Sequence, residues 1–214
     1  MKIYDIPCTL GGLESVVNLK MKNIIIIKKI EMKEKIFVVV DLEATCWNSE
    51  VGRPLDFDNE IIEIGAVKLD SEGNEISRFA KFSKPLNYPI LSDFCIELTT
   101  IKQSDIDSAD NLKDVLVDFF KWCDGGTLVS WGHYDSNQFK KDLNRNGLQK
   151  LTECLNDHQS LKHLHGKWNN LRRGGIGISG ALRIEGLIFE GTKHRGIDDA
   201  INISKIFRKY LNKF

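Results

Sequence analysis

Two carboxylates stand at the end of an otherwise apolar stretch, FVVVDLEATCW at residues 37–47. Side chains alternate between the two faces of a strand, so Asp41 and Glu43 share one face, about 7 Å apart along the chain. Two unpaired acids this close repel each other and lose hydration. A cation between them removes the conflict, and oxygen ligands favour Mg²⁺ or Mn²⁺. The pair therefore indicates a metal site, although by itself it could be only the polar end of a strand.

A third acid, Asp135, stands at the start of a predicted helix in SWGHYDSNQFKKDL. Phe139 and Leu143 follow at i+4 and i+8, so the three side chains share one helix face and Asp135 points toward the core. The alternative is an ordinary acid in a first helical turn, which the helix dipole stabilises by about 0.3–1 kcal/mol.

A fourth acid belongs to HRGIDDAINISKIF, where two adjacent aspartates cannot face the same way on a helix. Asp199 lies on the apolar stripe of this helix, whereas Asp198 lies on its polar stripe. Asp199 is therefore the predicted inward acid. His194 precedes the helix by about one turn, so its imidazole could reach the same site, although a lone histidine is more often a surface residue.

The elements that must position these residues follow from hydrophobic periodicity and turn residues. Three successive strands joined by short turns are predicted at residues 37–42, 61–69 and 76–82. A helix capped by Asp110 or Asn111 follows, then a strand in GGTLVSW and a helix that runs on to Gly147. Short helices are predicted near residues 158–168 and 179–185, and a final helix near 197–211. Antiparallel strands followed by alternating helices and strands predict an α/β fold with a mixed sheet flanked by helices.

Composition excludes several classes of protein. With 214 residues, 42% of them hydrophobic, the chain can bury one sizeable core. Its longest membrane-like apolar cluster, Ile24–Ile27, is far shorter than the roughly 18 residues that a membrane-spanning helix needs. The first twenty residues carry no apolar segment typical of a signal peptide. The five scattered cysteines contain no C-x-x-C pair, which argues against a disulfide framework and fits a cytoplasmic protein.

The charge is distributed unevenly although the net charge is zero. Residues 37–135 hold 19 acidic and 8 basic side chains, whereas residues 136–214 hold 7 acidic and 15 basic ones. This asymmetry is consistent with an acidic site beside a basic surface that favours phosphates, and equally with solvated helix faces.

Taken together, Asp41-x-Glu43, Asp135 and His194-x-x-x-x-Asp199 resemble the three motifs of the DEDDh exonucleases, a branch of the ribonuclease H-like fold. The segments DLEATCW, NEIIEIGAVKL, SWGHYD and HRGIDDA are most similar to the branch that holds the Eri-type and 3′ histone mRNA exonucleases and the bacterial KinA-pathway inhibitor KapD. The resemblance extends from about Ile36 to Tyr210. It implies an exonuclease domain at residues 32–214 and leaves residues 1–31 as an N-terminal extension of unknown role.

The resemblance also implies a mechanism. Asp41, Glu43, Asp135 and Asp199 would hold two Mg²⁺ ions, for which Mn²⁺ can substitute, and His194 would be the general base. Histidine suits that role because its side chain titrates near pH 6.5. The substrate would be a nucleic-acid 3′ end, with RNA favoured, and the product a 5′-mononucleotide. Contacts with the nucleic acid are expected from Thr45, Trp47 and Tyr134, with Trp131 assigned to core packing. The apolar surroundings of Glu63 predict that it is buried, and the resemblance implies that it ties down a neighbour of the site.

Two other functions remain open. The same chemistry could act on single-stranded DNA, because RNA is distinguished through its 2′ hydroxyl groups and the residues that would contact them cannot be located from the sequence. Alternatively, the fold could serve a regulatory protein that grips a partner, as the resemblance to KapD permits. The complete set of acids with His194 favours catalysis.

Two further patterns are weak. GIGISG, at residues 175–180, matches a dinucleotide-binding fingerprint, but no strand precedes it, so we expect a loop in which Ser179 caps a short helix. A zinc site is the second alternative, but the spacing of its candidate ligands matches no zinc-finger pattern: Cys154, His158, His163 and His165.

Overall fold

The computed structural model describes residues 35–48, 52–171 and 175–214. The predicted extension at residues 1–31 lies outside these residues, so the domain boundary stays a prediction. Five strands form one sheet in the order β3-β2-β1-β4-β5. Their bounds are Phe37–Ala44 (β1), Ile61–Leu69 (β2), Glu75–Phe82 (β3), Thr127–Ser130 (β4) and Gln159–Ser160 (β5).

The sheet is mixed, as predicted. The strands β1, β2 and β3 pair antiparallel, whereas β4 pairs parallel with β1 and β5 parallel with β4. Across β1 and β2, Asp41 lies opposite Gly65 and Glu43 opposite Glu63, and the register shifts between Glu43 and Ala44. This irregularity bends the chain where the strand leaves the core, immediately after the second carboxylate.

The helices cover both faces of the sheet. Seven α-helices lie in the described residues: Asp93–Thr99 (α1), Gln103–Asp107 (α2), Leu112–Cys123 (α3), Tyr134–Arg145 (α4), Leu161–Trp168 (α5), Ile178–Ile184 (α6) and Gly196–Lys209 (α7). Short 3₁₀ helices span Gln149–Leu155 and Leu211–Lys213. None of the helices in the described residues combines the length and apolar character that a membrane crossing requires.

Successive side chains of β1 point to opposite faces of the sheet and pack into two separate cores. Val38, Val40 and Leu42 pack with α3 and α4 on one face of the sheet. Phe37 and Val39 pack with α7 on the other. Because Asp41 and Glu43 continue the face of Phe37 and Val39, they point toward the helix that carries Asp199.

Helices α1 and α2 were not predicted from the sequence. They pack over Ile62 through a third, smaller core that contains Leu91, Cys95, Ile101 and Ile106. Neither helix exceeds seven residues, so neither shows a repeated apolar stripe in the sequence. Side chains fix their starts instead: the Ser92 hydroxyl accepts the Cys95 N–H, and the Asp105 carboxylate accepts the Lys102 N–H.

Candidate active site

A pocket of about 360 Å³ lies beyond the end of β1, between the start of α4 and the start of α7. All five residues predicted to do chemistry line it: Asp41, Glu43, Asp135, His194 and Asp199. Strand β1 supplies the first two, α4 the third and α7 with its preceding loop the last two. Segments far apart in the sequence therefore bring four carboxylates and an imidazole to one cavity.

The acids from β1 are crowded by other carboxylates. Lost hydration raises the pKa of Asp41 well above its ordinary value, and the nearby Asp135, Asp199 and Glu43 raise it further. Burial raises the pKa of Glu43 to about 8, with added repulsion from Asp199 and Glu63. Concentrated negative charge at low hydration is typical of a site that attracts a cation.

Asp135 connects α4 to β1. Its Oδ1 atom accepts the backbone N–H of Leu42 at 3.1 Å, and Leu42 stands between the two acids of β1. Asp135 is 4% exposed, and burial raises its pKa to about 6, although hydrogen bonds from Ser130 and Leu42 offset part of the effect. The contact holds the first turn of α4 against the end of β1.

Asp199 and His194 are joined through the backbone. The His194 N–H donates to Asp199 Oδ2 at 2.8 Å, and His194 has a left-handed backbone with φ 58°. Burial raises the pKa of Asp199, and this hydrogen bond partly lowers it. The imidazole is exposed at the pocket, whereas the Asp199 side chain is turned inward as the helical stripe predicted.

Glu63 supports the loop before α7. Its carboxylate accepts the Gly196 N–H at 3.1 Å and pairs with the Arg195 guanidinium, also at 3.1 Å. Glu63 is 2% exposed, which confirms the predicted burial. Since Gly196 begins the helix that carries Asp199, Glu63 helps to fix where that acid lies.

The donor set of the pocket fits a divalent cation. One ligand atom each from Glu43, His194 and Asp199 lies within 4.8 Å of the other two, which is close enough for a shared ion. Across the described ranges, no Lys or Arg side chain forms an ion pair with Asp41, Glu43, Asp135 or Asp199. Oxygen-rich clusters of carboxylates that form no ion pair with Lys or Arg suit Mg²⁺ or Mn²⁺.

The three residues predicted to contact nucleic acid have different surroundings. Tyr134 lines the pocket and is 51% exposed. Thr45 is fully buried, and its hydroxyl accepts the Glu60 N–H at 3.0 Å, so it is held inside the fold and the contact predicted for it has no geometric support. Trp47 lies outside the pocket lining and packs edge-on against Phe57 and Tyr88, and its contact stays a prediction.

Several other residues line the pocket, none of which was predicted from the sequence to be part of the site. Trp131, assigned to core packing, also lines the pocket while its indole N–H donates to the Ile176 carbonyl at 2.9 Å. Lys193 adds a cation beside His194. Its position next to the motif histidine was the one feature of the sequence that could have placed it in the pocket. The remaining lining residues form a wall of mixed polarity: Leu42, Gly177, Ile178, Ser179 and Phe189.

The two weak motifs have other structural roles. Gly177, rather than Ser179, is the N-cap residue of α6, so the predicted Ser179 cap is wrong. The histidines of the zinc alternative have separate partners. His158 contacts Ser130 at 2.8 Å, His163 contacts Ser160 at 2.6 Å and His165 contacts Glu185 at 2.9 Å.

Comparisons with known proteins agree with this geometry. A family model described as exonuclease matches residues 38–207. Human 3′-5′ exoribonuclease 1 is 29% identical over 98% of this chain and 64% of its own length. Human ERI1 exoribonuclease 2 is 31% identical over 81% of this chain and 28% of its own length. The chain thus spans less than two thirds of these relatives. The solved nuclease domain of 3′hExo bound to rAMP, described as a DEDDh family member, superposes with a TM-score of 0.71 at 27% identity, covering 85% of this chain and 94% of that one.

Proposed function

The chain belongs to the exonuclease family, and from this membership we propose that it is a 3′-5′ exonuclease that hydrolyses phosphodiester bonds at RNA 3′ ends and releases 5′-mononucleotides. One observation carries the proposal: Asp41, Glu43, Asp135, Asp199 and His194 meet in a single pocket. The relatives named above are exoribonucleases, which favours RNA over DNA.

The four carboxylates would hold two Mg²⁺ ions, which when bound supply the charge that activates water and stabilises the leaving 3′ oxygen. Asp41 and Glu43 enter from a rigid central strand and Asp135 is tied to that strand, so these ligands are fixed before substrate arrives. Asp199 is fixed from the other side by the His194 N–H. Pre-positioned ligands reduce the reorganisation that the reaction requires.

His194 would accept the proton of the attacking water at an imidazole nitrogen. Its exposure at the pocket lets the ring reach solvent, while its backbone bond to Asp199 keeps it beside the acids. A positioned general base contributes about 10²–10⁴-fold to rate. Lys193, also exposed at the pocket, would attract the phosphate, and the exposed ring of Tyr134 would stack on a base.

The test uses 5′-labelled RNA and DNA oligonucleotides of the same sequence with Mg²⁺. We expect a ladder that shortens from the 3′ end, faster on RNA, and lost in Glu43→Gln and Asp199→Asn. Asp198→Asn is the matched control, since Asp198 adjoins Asp199 but accepts the Thr192 N–H outside the pocket lining. Equal rates on both polymers would refute the RNA preference. Absence of cleavage by the wild-type protein would favour a regulatory binding protein.

A further inference from the structure

Two cysteines meet beside the proposed site. Cys46 follows β1 by two residues, and Cys95 lies in the first turn of α1. The two thiols interact closely enough that each shifts the pKa of the other: the pKa of Cys46 is raised and that of Cys95 is lowered. Cys46 also packs against the small core that contains Cys95, and both cysteines are free thiols. The two side chains therefore lie close together without being bonded.

A single hydroxyl group holds the two cysteine backbones together. Ser92 Oγ donates to the Cys46 carbonyl at 2.5 Å and accepts the Cys95 N–H at 3.0 Å. The Cys95 thiol in turn donates to the Ala44 carbonyl at 3.7 Å. These three contacts fix α1 against the chain that leaves β1. The frame keeps the two cysteines side by side, and a disulfide between them draws their sulfur atoms together against these contacts.

The two thiols differ in access and in acidity. Cys95 is 0% exposed, whereas Cys46 is half-buried and can be reached from solvent. The interaction with Cys46 lowers the pKa of Cys95, while the same interaction, with burial, raises the pKa of Cys46. Access therefore makes Cys46 the sulfur that an oxidant meets first, although its raised pKa slows that reaction, and the lowered pKa of Cys95 favours its attack on the oxidised sulfur.

We infer that Cys46 and Cys95 form a peroxide-oxidisable dithiol whose disulfide lowers the activity of the adjacent site. Hydrogen peroxide oxidises Cys46 to a sulfenic acid and is itself reduced to water. The Cys95 sulfur then attacks the Cys46 sulfur, the S–O bond breaks, and the hydroxyl group leaves as a second water with the Cys95 proton. Two thiols and one peroxide thus give one disulfide and two waters, and a dithiol reductant reverses the change.

The link to activity rests on the proposed function. A disulfide brings the sulfur atoms to about 2.05 Å, closer than any hydrogen-bonded pair of thiols. The chain between Glu43 and Cys46 is only two residues long, so this movement is transmitted to the end of β1. Misplacing a catalytic group by about 1 Å can cost roughly 100-fold in rate, so a 10- to 100-fold loss is expected on oxidation.

Peptide mapping tests the bond without requiring activity. Treatment of the full chain with hydrogen peroxide should remove two hydrogens from its mass. Trypsin should then release residues 36–68 linked to residues 82–102, because Arg53 and Lys84 precede prolines and are not cleaved. The linked peptide should be absent in Cys46→Ser and unchanged in Cys154→Ser, which removes an exposed cysteine elsewhere. Oxidation of Cys46 to a sulfinic acid with Cys95 left free would overturn the inference.

Measurement of RNA cleavage tests the effect of the disulfide on activity. The oxidised wild type should lose RNA cleavage and regain it with dithiothreitol, whereas Cys46→Ser should keep its rate after peroxide treatment. Cys95→Ala provides a second variant, checked for folding by its melting temperature because Cys95 is buried. A linked peptide with an unchanged rate would refute the link to activity. If even the reduced protein fails to cleave RNA, the proposed function fails, while the peptide map still decides whether the dithiol forms.

Discussion

Gly65 in β2 and Gly196 at the start of α7 lie in direct backbone contact. A Cβ atom added to Gly65 would lie 2.0 Å from the carbonyl carbon of Gly196 and 2.0 Å from the backbone nitrogen of Ile197. Gly65 also pairs with Asp41 across the two strands. No side chain therefore separates the helix from the sheet at this point, and the contact sets how closely Asp199 approaches Asp41.

Replacement of Gly65 by alanine should force α7 away from the sheet. Overpacking against backbone costs about 1–3 kcal/mol, so we expect the free energy of unfolding in urea to fall by that amount. The rise in melting temperature caused by Mg²⁺ should also shrink, because Asp199 moves away from β1. Gly166→Ala is the control, since its nearest new neighbour would be at an ordinary 3.5 Å. Wild-type stability and metal response in Gly65→Ala would contradict this account.

Two substitutions of Glu63 should weaken the start of α7 to different extents. Glu63→Gln keeps an oxygen that can accept the Gly196 N–H but removes the charge opposite Arg195. Glu63→Ala removes both, leaving a buried N–H without its acceptor, which costs about 1–3 kcal/mol. Urea unfolding should therefore show a larger loss for alanine than for glutamine.

The control for this series is Glu75→Gln, which breaks a pair with Arg78 whose side chains are 33% and 50% exposed. Exposed pairs contribute about 0.2–1 kcal/mol, so this variant should stay near wild type. RNA cleavage should fall in Glu63→Ala and partly recover in Glu63→Gln. Equal losses in the two variants would argue that the charge opposite Arg195 matters and the hydrogen bond from Gly196 does not.

Apolar residues that recur at strand or helix spacing predicted most of the fold. The same spacing predicted that each acid points inward. Phe37 and Val39 place Asp41 and Glu43 on a defined face, and Ile203 and Ile206 do the same for Asp199. The parts that the sequence could not reveal depend on contacts between distant segments. Thr45 has an ordinary loop sequence, and its burial follows only from its pairing with Glu60. Phe189 reaches the pocket through a loop that has no periodic pattern.

Metal stabilisation should depend on pH. In the folded protein without metal, the pKa of Glu43 is raised from 4.5 to about 8. Folded Glu43 therefore binds its proton more tightly than Glu43 in the unfolded chain, so its contribution to stability is fully present below about pH 4.5 and is lost as the pH rises through about 8. A divalent cation neutralises the ionised acids, so the increase in melting temperature on adding Mg²⁺ should be larger at pH 8 than at pH 6. The difference between the two pH values should be smaller in Glu43→Gln. Equal increases in melting temperature at pH 6 and pH 8 in the wild type would contradict this prediction.

The role of His194 should be distinguishable from that of the acids when the rate of RNA cleavage is compared with the increase in melting temperature on adding Mg²⁺. His194→Asn removes the imidazole but suits the left-handed backbone at φ 58°, which asparagine adopts more readily than most residues, and it keeps the N–H donated to Asp199. Turnover of RNA should drop about 10²–10⁴-fold because the general base is lost. The melting-temperature increase with Mg²⁺ should persist, because all four carboxylates remain. In Asp199→Asn both rate and metal response should be lost. If His194→Asn also abolishes the metal response, the imidazole is a metal ligand, which its proximity to Glu43 and Asp199 would permit, and its role as the base is wrong.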